Sequence, residues 1–273
     1  MKRKLLALTL ALALGLSLLL TACGGDEKTV LKVGASPTPH AQILEQVKAV
    51  LAEQDIDLQI VEYTDYVIPN TAVEEGENDA NYFQHNAYLE DFNTKNGTHL
   101  ISVASIHYEP FGVYVGKAEG LTSLADLPDG ATISIPNDGS NEARALYLME
   151  AEGLITLDHE RLFAETTPLD IVDNPKNLVF REMEAAMLPS SLSDVDCAII
   201  NGNYALGAGL SITDAIAAEA AESEAGTTYA NIIVIKEGNE DNEAVAALVA
   251  ALQSDAIRDY INETFTGAVV PLF

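Results

Sequence analysis

The stretch ATISIPNDGSNEARALYLMEAEG, residues 131–153, contains one complete strand–turn–helix unit. Residues 131–135 read as a strand, rich in the β-branched residues Thr132, Ile133 and Ile135. The turn begins at Pro136. Residues 141–152 read as a helix, and Gly153 supplies the stop. The same alternation extends in both directions. Upstream, residues 30–33, 58–61, 80–83, 100–105 and 111–115 read as strands. Residues 40–54 form a helical pattern with Ile43, Leu44, Val47, Val50 and Leu51 on one face, and a second helical stretch runs through Asn96. Downstream, residues 178–181, 197–200 and 231–235 are strands and 243–265 a helical pair. The acidic, alanine-rich residues 215–224 read as helical or loosely ordered, and Glu219 to Glu224 as surface variation. Strands alternating with helices predict an α/β protein. In such folds ligands sit beyond the carboxyl ends of the strands, so the loops after strands hold the candidate site.

The N-terminus is an address. Lys2, Arg3 and Lys4 precede an uncharged apolar run over residues 5–20. This run is shorter than the roughly 20 residues a spanning helix needs, and small residues follow it, so residues 1–22 read as a signal peptide. Leu20-Thr21-Ala22-Cys23 resembles the bacterial lipobox, which makes Cys23 the lipidated first residue of the exported chain. Residues 23–29 then form a polar, glycine-containing tether. With 14 basic against 42 acidic residues, the surface repels nucleic acid and anionic headgroups. The lipid is therefore the expected route to the membrane, and no nucleic-acid partner is expected. Cys197 lies in an apolar run and reads as a buried, inert thiol.

Four loops carry polar and aromatic groups suited to a ligand. Tyr66 follows the second strand, and Phe83, His85 and Tyr88 follow the third. Aromatic faces suit a thioether, although core packing is an equal reading of this group. Asn137, Asn141 and Arg144 belong to the turn and helix start quoted above. Free backbone N–H groups and a guanidinium there suit a carboxylate; a capped helix with a solvated arginine is the plainer alternative. Asn201 and Asn203 follow the strand at 197–200, and Asn231 opens another. Asparagine both donates and accepts, and it also favours turns. Nucleophile and zinc-protease motifs are missing, so no enzyme is expected. His40, His85, His107 and Glu109 lie near strand ends and have metal-ligand chemistry. They are scattered along the chain without a histidine-rich loop, so neither a metal nor a cofactor is expected.

Several segments together resemble one family, the NlpA-type methionine-binding lipoproteins of bacterial ABC importers. They include residues 31–35, Thr64-Asp65-Tyr66-Val67, Asp79-Ala80-Asn81-Tyr82-Phe83-Gln84-His85 and Asn141-Glu142-Ala143-Arg144. The C-terminal half adds residues 172–178, Ile200-Asn201-Gly202-Asn203-Tyr204 and 268–271. The resemblance implies a two-lobed, type II periplasmic-binding-protein fold with a ligand cleft between the lobes. Lobe one would comprise residues 30–110 and 230–273, and lobe two residues 111–229. The crossings would lie near Glu109 to Phe111 and near Tyr229. It further implies that Tyr66, Phe83 and His85 line the pocket for a methionine side chain. Arg144, with Asn141 beside it, would hold the α-carboxylate, and Asn201 and Asn231 the backbone groups. Tyr88, Asn137 and Asn203 are secondary candidates. The implied partners are L- or D-methionine or a methionine dipeptide, and an importer's permease and ATPase. The implied location is the extracytoplasmic face of the cell membrane. The rival on the same scaffold is another amino acid or a short peptide as ligand, and a separate rival is a metal-capture lipoprotein.

Overall fold

The computed structural model describes residues 28–118, 120–219 and 228–273. The expected signal peptide, Cys23 and the tether up to residue 27 lie outside the described residues. Thr29, expected in the tether, instead opens the first strand.

The chain begins with β1 (Thr29–Ala35), α1 (Gln42–Ala52), β2 (Ile56–Glu62), α2 (Ile68–Glu74), β3 (Ala80–His85), α3 (Asn86–Asn96) and β4 (Leu100–Tyr108). It then enters a second body with β5 (Gly112–Val115), β6 (Thr132–Pro136), α4 (Gly139–Ala151), β7 (Thr156–Leu157), β8 (Ile171–Asp173), β9 (Val179–Met183), α5 (Leu188–Ser191), β10 (Cys197–Ile200), α6 (Gly202–Gly207) and β11 (Ala217–Ala218). It returns to the first with β12 (Ala230–Lys236), α7 (Glu243–Leu252), α8 (Asp255–Phe265) and β13 (Val270–Pro271). Two sheets result, one per lobe. Their orders are β13-β4-β12-β3-β1-β2 and β11-β5-β10-β6-β9, and β7 and β8 form a separate small pair. Among the described residues no helix is long and apolar enough to cross a membrane.

Each lobe has its own core. In the first, α1 lays Ile43, Leu44, Val47 and Leu51 on the sheet. Val50 was expected on that face but is exposed. At 100° per residue it falls at the edge of the stripe, beyond the reach of the sheet. In the second lobe β10 is buried on both faces, as a central strand should be. Its alternation sends Cys197 and Ile199 into the core under α4 and Ala198 and Ile200 into the core under α5. The quoted unit folds as β6 followed by α4. The Asp138 side chain caps α4 by accepting from the Asn141 N–H at 3.0 Å. Gly153, at φ +73°, takes the left-handed turn beyond the helix end. Within the run 215–224, of which residues 220–224 lie outside the described residues, the expectation of a helical or loose segment fails at 217–218. Ala217–Ala218 is a strand paired with β5, because the edge of the second sheet offers free backbone partners there.

The strand directions set the site. β1 and β3 are parallel neighbours in the first sheet, and β6 and β10 in the second. Their carboxyl ends lead to His40, His85, the Asp138–Arg144 segment and Asn201. The register also aligns Asn231 of β12 with His85 of β3 on one side and His107 of β4 on the other. Irregularities in β12 on both sides of Ile232 interrupt the ladders beside this row.

Candidate functional site

A cavity lies between the lobes at these strand ends. One end is aromatic. The Tyr66 ring lies 5.8 Å from Phe83 and 5.6 Å from Tyr88, centroid to centroid. The other end is polar. Asn141, Arg144, Asn201 and Asn203 come from the second lobe, and His85, Glu109 and Asn231 from the first and its crossing segment. The structure thus brings Tyr66, Phe83, His85, Tyr88, Asn141, Arg144, Asn201, Asn203 and Asn231 to one cavity. Asn137 is the exception. It is exposed on the outer side of the turn and lines a neighbouring groove with Asp65 and Glu184. Gln84 and Glu109 also line the cavity. Gln84 was legible only as part of an aromatic-flanked strand end, and Glu109 only as a metal-type carboxylate.

Hydrogen bonds fix the polar groups. His85 caps α3: its Nδ1 accepts from the Tyr88 N–H at 3.1 Å. The proton is therefore on Nε2, which donates to Asn141 Oδ1 at 3.1 Å. The same oxygen accepts from Asn201 Nδ2 at 2.8 Å. Asn141 Nδ2 gives one hydrogen to Asp138 at 2.8 Å and keeps the other. Asn201 Oδ1 is buried and makes no hydrogen bond among the described residues. Burial, assisted by the Arg144 charge, holds His85 down to about 3, so the ring is neutral.

Arg144 is the central charge. Its guanidinium packs 4.0 Å from the Tyr229 ring centroid and 4.9 Å from that of Phe111. Nε and Nη2 donate to the two carboxylate oxygens of Glu219 at 2.8 and 2.5 Å, and Nη2 also reaches the Glu109 carbonyl at 3.0 Å. Nη1 makes no hydrogen bond among the described residues. Glu219 is therefore an inward-facing, largely buried partner of the site, which corrects its reading as surface variation. An acidic, alanine-rich run carries no sequence signal for one inward-facing member. The pairing holds the Glu219 carboxyl below its ordinary range, overcoming the burial that would raise it.

Behind the cavity lies a buried network. The Tyr82 hydroxyl bonds His107 Nδ1, and His107 Nε2 donates to Glu109 Oε1 at 2.7 Å. His40 Nε2 donates to Asn231 Oδ1 at 2.9 Å and lies 3.5 Å from Glu109 Oε1. Burial lowers His40 to about 4 and His107 to about 3, and raises the Glu109 carboxyl. A side chain at Gly202 would meet Glu109 Oε2 at 2.7 Å, so the glycine lets α6 start directly against the carboxylate. Of the four metal-type candidates, His40, His107 and Glu109 present ligand atoms within 4.8 Å of one another. His85 instead turns to Asn141.

The lobes touch across the cavity. The Tyr66 hydroxyl donates to Asn203 Oδ1 at 2.5 Å, and the Tyr204 hydroxyl to the Thr64 carbonyl at 3.1 Å. With His85–Asn141, these bonds describe a closed cleft.

Residues 31–273 match the family described as NlpA lipoprotein. The chain is 41% identical over 259 residues to "Membrane lipoprotein TpN32" of Treponema pallidum, covering 94% of this chain and 93% of that one. It is 37% identical over 271 residues to "Methionine-binding lipoprotein MetQ" of Bacillus subtilis, covering 96% and 97%. A solved nutrient-binding protein from Burkholderia cenocepacia, described as bound to methionine, is similar with a TM-score of 0.82. That protein is 40% identical, with 89% of this chain and 100% of that one covered.

Proposed function

The chain belongs to the NlpA lipoprotein family, and from that premise we propose that it is a non-catalytic receptor for methionine. It captures the amino acid at the outer face of the membrane, held there by lipid on Cys23, and delivers it to an ABC importer's permease and ATPase. The observation that carries this reading is the cavity, aromatic at one end and zwitterion-matched at the other. Its two ends match the two parts of one such amino acid, an apolar side chain and a charged backbone. The thioether lies among Tyr66, Phe83 and Tyr88, since sulfur packs well at about 5 Å from aromatic rings. The α-carboxylate takes Arg144 Nη1, with the spare Asn141 amide hydrogen and Asn231 Nδ2 as further donors. The α-ammonium meets Asn201 Oδ1, the buried oxygen that lacks a donor among the described residues, and Glu109. Residues 30–110 with 230–273 move against 111–229, bending near Glu109 to Phe111 and near Tyr229.

Calorimetry tests this on protein cleared of bound ligand by unfolding and refolding. L-methionine, D-methionine and Gly-Met are titrated in turn, and at least one should give saturable heat at one site. Silence with all three refutes the reading. The cluster of His40, His107 and Glu109 supports a second reading, metal capture. Its ligand atoms are already joined in hydrogen bonds, which favours the first. Elemental analysis of native protein separates them: a stoichiometric transition metal would favour the second.

A further inference from the structure

Glu219 gives the cavity a charge balance that its ligand must match. Arg144 and Glu109 line the cavity, and Glu219 pairs with Arg144 behind the lining. The histidines beside them are neutral, since burial holds His40, His85 and His107 well below the ordinary imidazole range. Glu219 is held by four donors. They are Nε and Nη2 of Arg144, the Tyr108 hydroxyl at 2.7 Å and the Phe111 N–H at 3.1 Å. Its own backbone N–H donates to the Phe111 carbonyl at 3.0 Å. A carboxylate gripped from two lobes and a crossing segment does not swing away to admit a ligand. It stays on the guanidinium, and an incoming carboxylate has to share Arg144 with it.

We propose that Glu219 is a specificity-determining residue, which with Glu109 makes the cavity a filter for zwitterions and excludes carboxylates that lack an α-ammonium. The proposal rests on the methionine reading above. A simple carboxylate brings one negative charge to a site where two acidic groups already share one cation. A zwitterion brings the same charge together with an ammonium, which both acidic groups attract. At an effective dielectric of about 20, opposite charges within one small cavity attract strongly enough to shift a binding ratio by about tenfold or more. The same geometry explains why a counter-ion is built beside an arginine meant for an anionic group: bare Arg144 would bind any small carboxylate.

The test compares two probes by calorimetry, L-methionine and 4-(methylthio)butanoate, which is methionine without its amine. Wild-type protein, Glu219→Gln and Glu219→Asp are titrated with both, and far-UV circular dichroism checks that each variant is folded. The readout is the ratio of the two dissociation constants. Wild type should favour methionine by about a hundredfold or more, summing the Glu109 and Glu219 contributions. Glu219→Gln should narrow that ratio by about tenfold. Glu219→Asp, which keeps the charge, should preserve the ratio even where both affinities fall. A ratio unchanged in Glu219→Gln, with both probes weakened alike, makes Glu219 merely structural and overturns the proposal. If Glu219→Gln does not fold, Glu219→Asp decides alone, because a ratio narrowed with the charge retained also overturns it. Failure of wild type to bind methionine at all would overturn the methionine reading itself, and is a separate outcome.

Discussion

Tyr66→Phe removes one oxygen and, with it, one bond across the cleft. The Tyr66 hydroxyl donates to Asn203 Oδ1 at 2.5 Å, and Asn203 is buried. The ring remains, so its packing against Phe83 and Tyr88 is kept. What is left is a buried amide oxygen without its donor, which costs about 1–3 kcal/mol. When the lobes part, water reaches Asn203, so the penalty falls on the closed form alone. Ligand affinity then carries all of it, because binding draws on the free-energy difference between open and closed forms. At about 1.4 kcal/mol per tenfold, methionine should bind about 5- to 150-fold more weakly. Most of the change should be faster release. The thermal midpoint of the ligand-free protein should move far less, since each lobe keeps its own core. Calorimetry gives the affinity and stopped-flow fluorescence the release rate. An affinity within twofold of wild type with unchanged release would refute the reasoning. A double-mutant cycle with Asn203→Ala adds a second check: losses that simply add would show that the two groups do not communicate.

Other outcomes follow from the buried charges. Arg144→Ala should weaken methionine by about 2 kcal/mol or more through the lost charged hydrogen bonds. It should also destabilise the protein, because the largely buried Glu219 carboxylate loses its cation and keeps only the Tyr108 and Phe111 donors; denaturant melts and calorimetry measure the two effects separately, and unchanged affinity would remove Arg144 from the site. On the acid side, burial keeps His40 near 4 and His85 and His107 near 3. Their folded values lie below the unfolded ones, so their contribution to stability is full above about pH 6.5 and is lost as pH falls towards 4 and 3. A thermal midpoint that is level from pH 7 to 4 would contradict this. Glu142 acts in the opposite sense: burial, with Glu182 beside it, pushes its carboxyl up to about 8. Its contribution is full below the ordinary carboxylate range and is lost as pH rises towards 8, and Glu142→Gln should remove that slope. Cys197 is buried under α4 with its thiol pushed up to about 12 by burial and the neighbouring Asp196. It should therefore resist a thiol reagent until the protein unfolds; prompt reaction of folded protein would show that the lobe opens locally.

The fold was legible where local chemistry and packing agree. The unit at 131–153 carried its own strand, cap and stop, and the parallel strands followed from the alternation around it. Val50 and residues 217–218 misled because their environment is set by distant partners, the width of a sheet face in one case and a free strand edge in the other. The site divides in the same way. Asparagines, aromatics and an arginine after strands can be found by position, since strand direction puts them at one end of each sheet. Their partners cannot. Glu219 lies 75 residues from Arg144, and nothing in its neighbours separates an inward-facing glutamate from the solvated ones. The cluster of His40, His107 and Glu109 likewise depends on register across β1, β12 and β4, which single-sequence spacing does not reveal.

Closure and recognition are coupled because the ligand completes a polar network that the protein leaves unfinished. In the closed cleft Asn201 Oδ1 is buried without a donor among the described residues, and leaving such an atom dry costs about 1–3 kcal/mol. Arg144 Nη1 has donors to offer and no acceptor among the described residues. Without ligand, parting the lobes lets water satisfy both groups, so the open form is favoured at that point of the structure. An ammonium on the one and a carboxylate on the other reverse the balance and leave the cross-cleft bonds of Tyr66, His85 and Tyr204 as net gains. A ligand that supplies only one of the two groups satisfies one half and strands the other. On this reasoning closure is itself part of the selectivity: an amine without a carboxylate, or a carboxylate without an amine, should bind weakly and also leave the lobes apart. Small-angle scattering with methionine, its decarboxylated amine and its deaminated acid measures that directly, and full compaction by either half-ligand would refute the coupling.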